Sequence, residues 1–144
     1  MYIQSISIKT FKSFCCYSIT DQIQDLILPS FNKEGLATLF CKHTTTALIV
    51  NELEERLMID LEEWLNQIAP PLIGYKHDDL HMRKNIPHDE PRNAHAHLQA
   101  LLLGNEVVVP FSDGKLLLGE YQEVIFVELD GPRDRQVVVA LSTN

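Results

Sequence analysis

The stretch EVVVPFSDGKLLLGEYQEVIFVELDGPRDRQVVVAL, residues 106–141, decides the fold of this chain. Its apolar, β-branched runs are separated by short polar breaks, a composition that favours β-strands. Asp113-Gly114 lies between two of these runs, and Asp-Gly in that position is a strong hairpin signal. A second turn is predicted at residues 130–135. We therefore expect four late strands in an antiparallel, sandwich-like core.

Strands and helices are also predicted upstream of this stretch. Residues 2–9 and 14–20 have strand patterns, and a third β-rich run starts at Gly35 and is interrupted by the segment His43-Thr44-Thr45-Thr46. Leucines and other apolar residues spaced three and four apart predict a helix over residues 52–68.

Two further helices have recognisable boundaries. Thr20 or Asp21 caps a short helix that Pro29 stops, and Asn93 caps a helix over residues 94–103 that Gly104 closes. Runs of strands with two or three helices make an α+β fold. At this length we expect a single domain over residues 1–144.

Composition excludes several classes of partner. The chain has 144 residues, 45% apolar and 22% charged, with a net charge of −8. An acidic protein of this kind is not expected to bind nucleic acid or an anionic membrane. No apolar run approaches the ~20 residues that span a bilayer. The three cysteines have no CxxC spacing, so we expect reduced thiols and a cytoplasmic protein.

Histidines are concentrated in one region of the sequence. Five of the six lie between residues 77 and 97 (His77, His81, His88, His95, His97), and His43 opens the His-Thr-Thr-Thr segment. Three neutral imidazoles with an open fourth position are a common arrangement for catalytic zinc. His43, His77 and His97 could supply it. The alternative is that each is separately hydrogen-bonded.

The second long helix gives a geometric test of its histidines. His95 and His97 are two residues apart, about 200° around a helix, so both cannot face one site. Asn93 and His97 are four apart and share a face. His97 is therefore the preferred site residue, with Asn93 beside it. We expect three leucines of this helix to face the core: Leu98, Leu101 and Leu102.

Two arginines follow a predicted strand. Arg133 and Arg135 present planar forks of donors that suit phosphate or carboxylate. Beside the hydroxyls of Thr44 and Thr45 they would suit an anionic ligand. The alternative is a charged hairpin with internal Asp–Arg pairs.

Several of these motifs occur together in one known family. They are His43-Thr44-Thr45-Thr46-Ala47 with Asn51-Glu52, Asn93-Ala94-His95-Ala96-His97-Leu98, the run from Asp113-Gly114 to Tyr121-Gln122, and Glu128-x-Asp130-Gly131-Pro132-Arg133. Their order resembles the YjbQ family, known as secondary thiamine-phosphate synthases. The resemblance implies a compact α+β fold, a homotrimer, and zinc or another divalent metal at a histidine site. It also implies a transferase that acts on a phosphorylated small molecule.

The resemblance extends to individual positions. Those that match the family's motifs are His43, Asn51, Asp60, His77, Asn93, His97, Glu128 and Arg133. We predict catalytic roles for His97, Glu128 and Asn51, and metal ligands at His43, His77 and His97. Predicted substrate contacts are Thr44, Thr45, Asn93, Arg133 and Arg135. Glu120 departs from the family, which usually has threonine there, and the roles of His81, His88 and His95 stay open. The alternatives are a non-catalytic trimeric protein that binds a metal or a phosphorylated small molecule, and a metal-assisted hydrolase.

Overall fold

The computed structural model describes residues 1–27 and 34–143, and Pro29 lies outside them. The strands are β1 (Tyr2–Lys9), β2 (Cys15–Ser18), β3 (Gly35–Cys41), β4 (Thr46–Asn51), β5 (Glu106–Ser112), β6 (Lys115–Leu116), β7 (Glu123–Glu128) and β8 (Asp134–Thr143). The helices are α1 (Thr20–Ile27), α2 (Glu55–Ile68) and α3 (Ala94–Leu103), with short 3-10 turns at Lys76–Asp78 and Leu80–Met82.

The strands form two antiparallel sheets. One sheet has the order β1-β8-β3-β5-β6 and the other the order β2-β7-β4. Three helices beside antiparallel sheets confirm the predicted α+β fold.

The core is divided between two layers. The larger cluster lies between the sheets and α1, and includes Phe111 and Phe126. The smaller cluster lies between the three-stranded sheet and helices α2 and α3, and includes Ile125 and Leu65. Strand β7 is therefore buried on both faces, which explains why its residues 124–127 are all apolar instead of alternating with polar ones.

The Asp113-Gly114 hairpin is confirmed. Both residues have positive φ, 51° and 76°, and Phe111 pairs with Leu116 across the turn. The predicted strand after this turn is short, because β6 ends at Leu116 and residues 117–122 lie outside the sheet. The turn at 130–135 is not a hairpin, because β7 and β8 belong to different sheets. The chain crosses between the two layers there.

Helix α3 has the predicted bounds, but its predicted face is wrong. Its leucines are exposed (Leu98 43%, Leu101 80%, Leu102 51%), whereas Ala94, Ala96, Gln99 and Ala100 are buried. Small side chains let the helix backbone approach strand β4 closely, and the large side chains are then left on the outer face. Helix α2 also begins later than predicted, at Glu55, where the Glu54 carboxylate accepts hydrogen bonds from the backbone of Arg56 and Leu57.

Candidate functional site

A pocket of about 330 Å³ lies between α3 and the segment that joins β3 to β4. We call it the His43–His97 pocket. Its lining consists of His43, Thr44, Thr46, His97, Ala100, Leu101, Gly104 and Asn105. The fold builds it simply: the β3–β4 segment supplies one wall, and the first and last turns of α3 supply the other.

His97 is backed by a second histidine. The ring of His77, from the loop before α3, meets the ring of His97 edge-on with centroids 4.7 Å apart. Partial burial, together with the neighbouring His77, lowers the pKa of His97 below its usual value. His97 is therefore neutral near pH 7, the form in which one ring nitrogen of an imidazole donates a hydrogen bond and the other can accept a hydrogen bond or a proton.

His43 is held in one tautomer. Its Nε2 accepts a hydrogen bond of 2.9 Å from the backbone N–H of Gln136 on β8. A neutral imidazole that accepts at Nε2 carries its proton on Nδ1. Partial burial and the nearby Arg135 lower the pKa of His43, so its Nδ1–H remains a donor at neutral pH.

A buried ion pair fixes the segment that carries His43. Glu128 is fully buried and Arg135 is 5% exposed. Arg135 donates to both carboxylate oxygens, from Nε at 2.8 Å and from Nη2 at 2.7 Å. Nη2 also donates to the Thr45 hydroxyl at 3.0 Å, while the Thr10 hydroxyl donates to the carboxylate at 2.9 Å. Arg135 and Glu128 thus tie the pocket wall to the core, and their predicted substrate and catalytic roles stay predictions.

Asn93 does not cap α3 through its side chain. Instead the Asp78 carboxylate accepts from the backbone N–H of Ala94 at 3.0 Å. The Asn93 amide donates to Asp130 at 2.7 Å, and Asp130 also accepts from Arg133 at 2.9 Å. The internal Asp–Arg pair left open by the sequence is therefore present.

Other predicted site residues lie elsewhere. Asn51 and Asp60 line a separate cavity beside α2, and Arg133 lines a third, near residues 87–91. His81 and His88 are exposed in the loop before α3, as is Glu120 in its own loop. The structure thus brings His43, Thr44 and His97 to one pocket with His77 behind them. It does not bring Asn51 or Arg133 to that pocket.

The predicted three-histidine zinc site is wrong. Within residues 1–27 and 34–143, no group of three or more His, Cys, Asp or Glu side chains is placed to hold a metal ion. His43 has its Nε2 engaged with Gln136, and His77 packs its ring against His97 instead of converging with it. A divalent metal bound in some other way stays an untested prediction.

Comparisons with known proteins agree with the sequence motifs. The family model described as "UPF0047 protein YjbQ-like" matches residues 4–144. The chain belongs to the YjbQ-like UPF0047 family. It is 42% identical to a UPF0047 protein of Archaeoglobus fulgidus over 134 residues, covering 93% of this chain and 96% of the relative. The Methanothermobacter thermautotrophicus relative is 32% identical over 142 residues, 99% and 92% of the two chains.

Solved structures show the same fold. A hypothetical protein of Aeropyrum pernix K1 superposes with a TM-score of 0.88 at 32% identity, with both chains fully covered. A YbjQ-like protein of unknown function from Sulfolobus solfataricus P2 gives 0.88 at 35% identity, covering 99% of this chain and 97% of the other. The predicted single domain over residues 1–144 stays a prediction, with the family match spanning nearly the same range.

Two predictions about function are corrected by these findings. The UPF0047 relatives carry no activity in their names, and the Sulfolobus protein is described as of unknown function, so thiamine-phosphate synthase activity has no support in the family. The zinc-dependent and metal-binding alternatives are corrected with it, because the described residues form no metal-binding group. Among those residues no helix is long and apolar enough to cross a membrane.

Sequence reasoning missed several residues that shape the site. Asp78, the cap of α3, lies 16 residues before Ala94, so no local spacing indicates it. Thr10 and Asp130 complete the polar network, and Asn105 lines the pocket. For Asp130 a signal existed, because an acid three residues before Arg133 is placed to pair with it. Thr10 offered none.

Proposed function

We propose that the His43–His97 pocket binds a small molecule with a phosphate or similar acceptor group, and that His97 exchanges a proton with it. The observation that carries this proposal is the position of His97, which lines the pocket and is backed edge-on by His77. Its lowered pKa keeps it neutral at physiological pH, the form that can accept a proton as a general base and return it later.

The pocket walls favour a ligand rich in hydrogen-bond acceptors. The exposed Thr44 hydroxyl, the Nδ1–H of His43 and the amide of Asn105 are donors, and the exposed Lys42 adds positive charge beside the wall. A phosphorylated small molecule offers several acceptor oxygens to such a set. The volume of about 330 Å³ suits a compact ligand.

Binding can be tested with inorganic phosphate as the probe. Protein labelled with carbon-13 at the histidine ring is titrated at constant ionic strength and pH, and the six ring signals are followed by NMR. We expect the chemical shifts of His43 and His97 to change and then saturate at phosphate concentrations lower than those that affect His88. His88 is exposed and serves as the internal control. If all the histidine signals move together, or only the exposed ones move, the pocket does not bind phosphate groups.

Proton exchange needs a separate test. A metabolite mixture is incubated with the wild-type protein, with His97→Asn and with His88→Asn, and is compared by mass spectrometry. We expect compounds that are converted by the wild type and by His88→Asn but not by His97→Asn. Identical conversion by all three proteins would remove His97 from the chemistry.

We also propose that copies of the chain assemble, as a trimer, through the outer face of α3. Leu98, Leu101 and Leu102 lie three and four residues apart on one helix face, and all are exposed. Contiguous exposed leucines indicate an interaction surface. Leu101 also lines the pocket, so a second copy seated there would complete its wall.

Sedimentation equilibrium tests the assembly. We expect a trimer for the wild type and a shift towards monomer for Leu101→Glu. Leu117→Glu changes another exposed leucine, in the loop after β6, and is the control. A wild-type monomer, or equal dissociation in both variants, would contradict the proposed interface.

A further inference from the structure

A second cavity, of about 460 Å³, lies between α2 and the end of strand β4. Its walls are mainly apolar and include Leu57, Leu61 and Leu103. Asp60 and Asn51 are the two polar side chains in its lining, and the indole of Trp64 forms part of the wall. A concave apolar site with a few polar groups is the usual form of a small-molecule site.

Helix α2 is packed in a way that leaves this cavity open. Its apolar side chains repeat at helical spacing, yet only Leu65 is buried, and Trp64 is 48% exposed. The helix therefore contacts the three-stranded sheet through one row of side chains. The adjacent row, which includes the Trp64 indole, lies away from the sheet.

The negative charge around the cavity favours a cationic ligand. Residues 52–66 contain six carboxylate side chains and one arginine. Asp60 makes no ion pair or side-chain hydrogen bond with any residue of the described ranges, and it is exposed at the cavity. A carboxylate beside an indole attracts a cation, because the ring face of tryptophan also favours positive charge.

We infer that this cavity is a binding site for a small aromatic amine, with the apolar body between α2 and β4 and the ammonium group at Asp60 and Trp64. The site is independent of the His43–His97 pocket, since the two share no lining residue. An acid of the same shape would be repelled by Asp60 and by the neighbouring carboxylates of α2.

The chain's single tryptophan makes the test local. Trp64 is the only tryptophan, so its fluorescence reports on this cavity alone. The purified protein is titrated with 2-phenylethylamine and, in parallel, with 3-phenylpropanoate, which has a similar body and the opposite charge. Physiological ionic strength suppresses loose attraction to the acidic surface.

We expect a saturable change in emission with the amine, and binding about tenfold weaker for the carboxylate. Asp60→Asn should weaken amine binding by about three- to fivefold, the scale of an exposed ion pair. Glu63→Gln removes the same charge from the same helix outside the cavity and should leave affinity unchanged. His97→Asn should also leave it unchanged.

Two outcomes would overturn the inference. The first is an emission that does not respond to the amine, or responds equally to amine and carboxylate. The second is equal weakening by Asp60→Asn and Glu63→Gln, which would mean that the amine senses only the overall charge of α2. Neither outcome bears on the proton-exchange proposal, because that test uses a different pocket and a different probe.

Discussion

Replacing Glu128 by glutamine should destabilise the protein more than any surface change of the same chemistry. The side chain keeps its size, but Arg135 then remains buried with no carboxylate to balance its charge. In the folded protein Arg135 makes two contacts to that carboxylate, at 2.8 Å and 2.7 Å. The glutamine amide also brings N–H donors towards a guanidinium that has only donors.

The size of the effect follows from burial. Removing one partner of a buried pair costs about 3–5 kcal/mol, a large part of the roughly 5–15 kcal/mol that stabilises a typical domain. One kcal/mol shifts the melting temperature of a protein near this size by about 3 °C, so we expect Tm to fall by roughly 9–15 °C. Thermal unfolding by circular dichroism measures it, at one protomer concentration for all variants.

Two further variants make the test decisive. Asp79→Asn removes a carboxylate from the exposed contact with His81 and should cost less than about 1 kcal/mol. The double variant Glu128→Gln, Arg135→Met removes the unpaired charge and should recover part of the loss. If Glu128→Gln melts within error of Asp79→Asn, or if the double variant is less stable than the single, the buried pair does not act as argued.

Three other perturbations have clear expected outcomes. The pKa values of His43 and His97 are lowered by folding, so the unfolded chain binds the protons first. The free energy of unfolding should have its full value above about pH 6.5 and should decrease as the pH falls below that value. The decrease per pH unit should be smaller in His97→Gln, and urea titrations at several pH values measure it. Gly131→Ala should strongly destabilise or prevent folding, because a Cβ there would overlap the Lys12 carbonyl oxygen and meet Glu128 Cγ at 2.8 Å; soluble yield and Tm measure it. Ala96→Leu should lower the free energy of unfolding by about 1–3 kcal/mol in denaturant titration, because it overpacks the fully buried contact between α3 and β4.

Much of the fold could be predicted from local signals. The Asp113-Gly114 turn was visible because a hairpin of this type needs two residues that tolerate positive φ. The end of α3 could be predicted because glycine commonly follows the last residue of a helix. Gly104 does end α3, with φ 92°. The crossing at residues 130–135 was not visible, because a polar turn has the same composition whether the next strand pairs beside the first or joins another sheet.

The site was predicted in part, and for a different physical reason. His97 was selected by helix geometry and does line a pocket with His43. The predicted ligand set failed because sequence spacing does not show whether imidazoles from three segments converge on one point. His77 and His97 instead pack edge-on against each other. The role of Glu128 was predicted from the family resemblance and that of Arg135 from its planar donors, and neither signal indicates the buried pair that the two residues form.

The error on α3 links fold and function. Leucines on an otherwise apolar helix were expected to face inward because large apolar side chains gain most from burial. The structure instead packs the alanines, since close approach of α3 to β4 leaves no room for larger groups. Burying a leucine side chain fully contributes about 1.5–3 kcal/mol. The leucines of α3 do not gain this within one chain, but they would gain it by packing against another copy. Leu101 lines the same pocket as His97, so the proposed assembly face and the proposed proton exchange share that pocket. Assembly on this face would exclude water from the pocket, and this would further favour neutral His97.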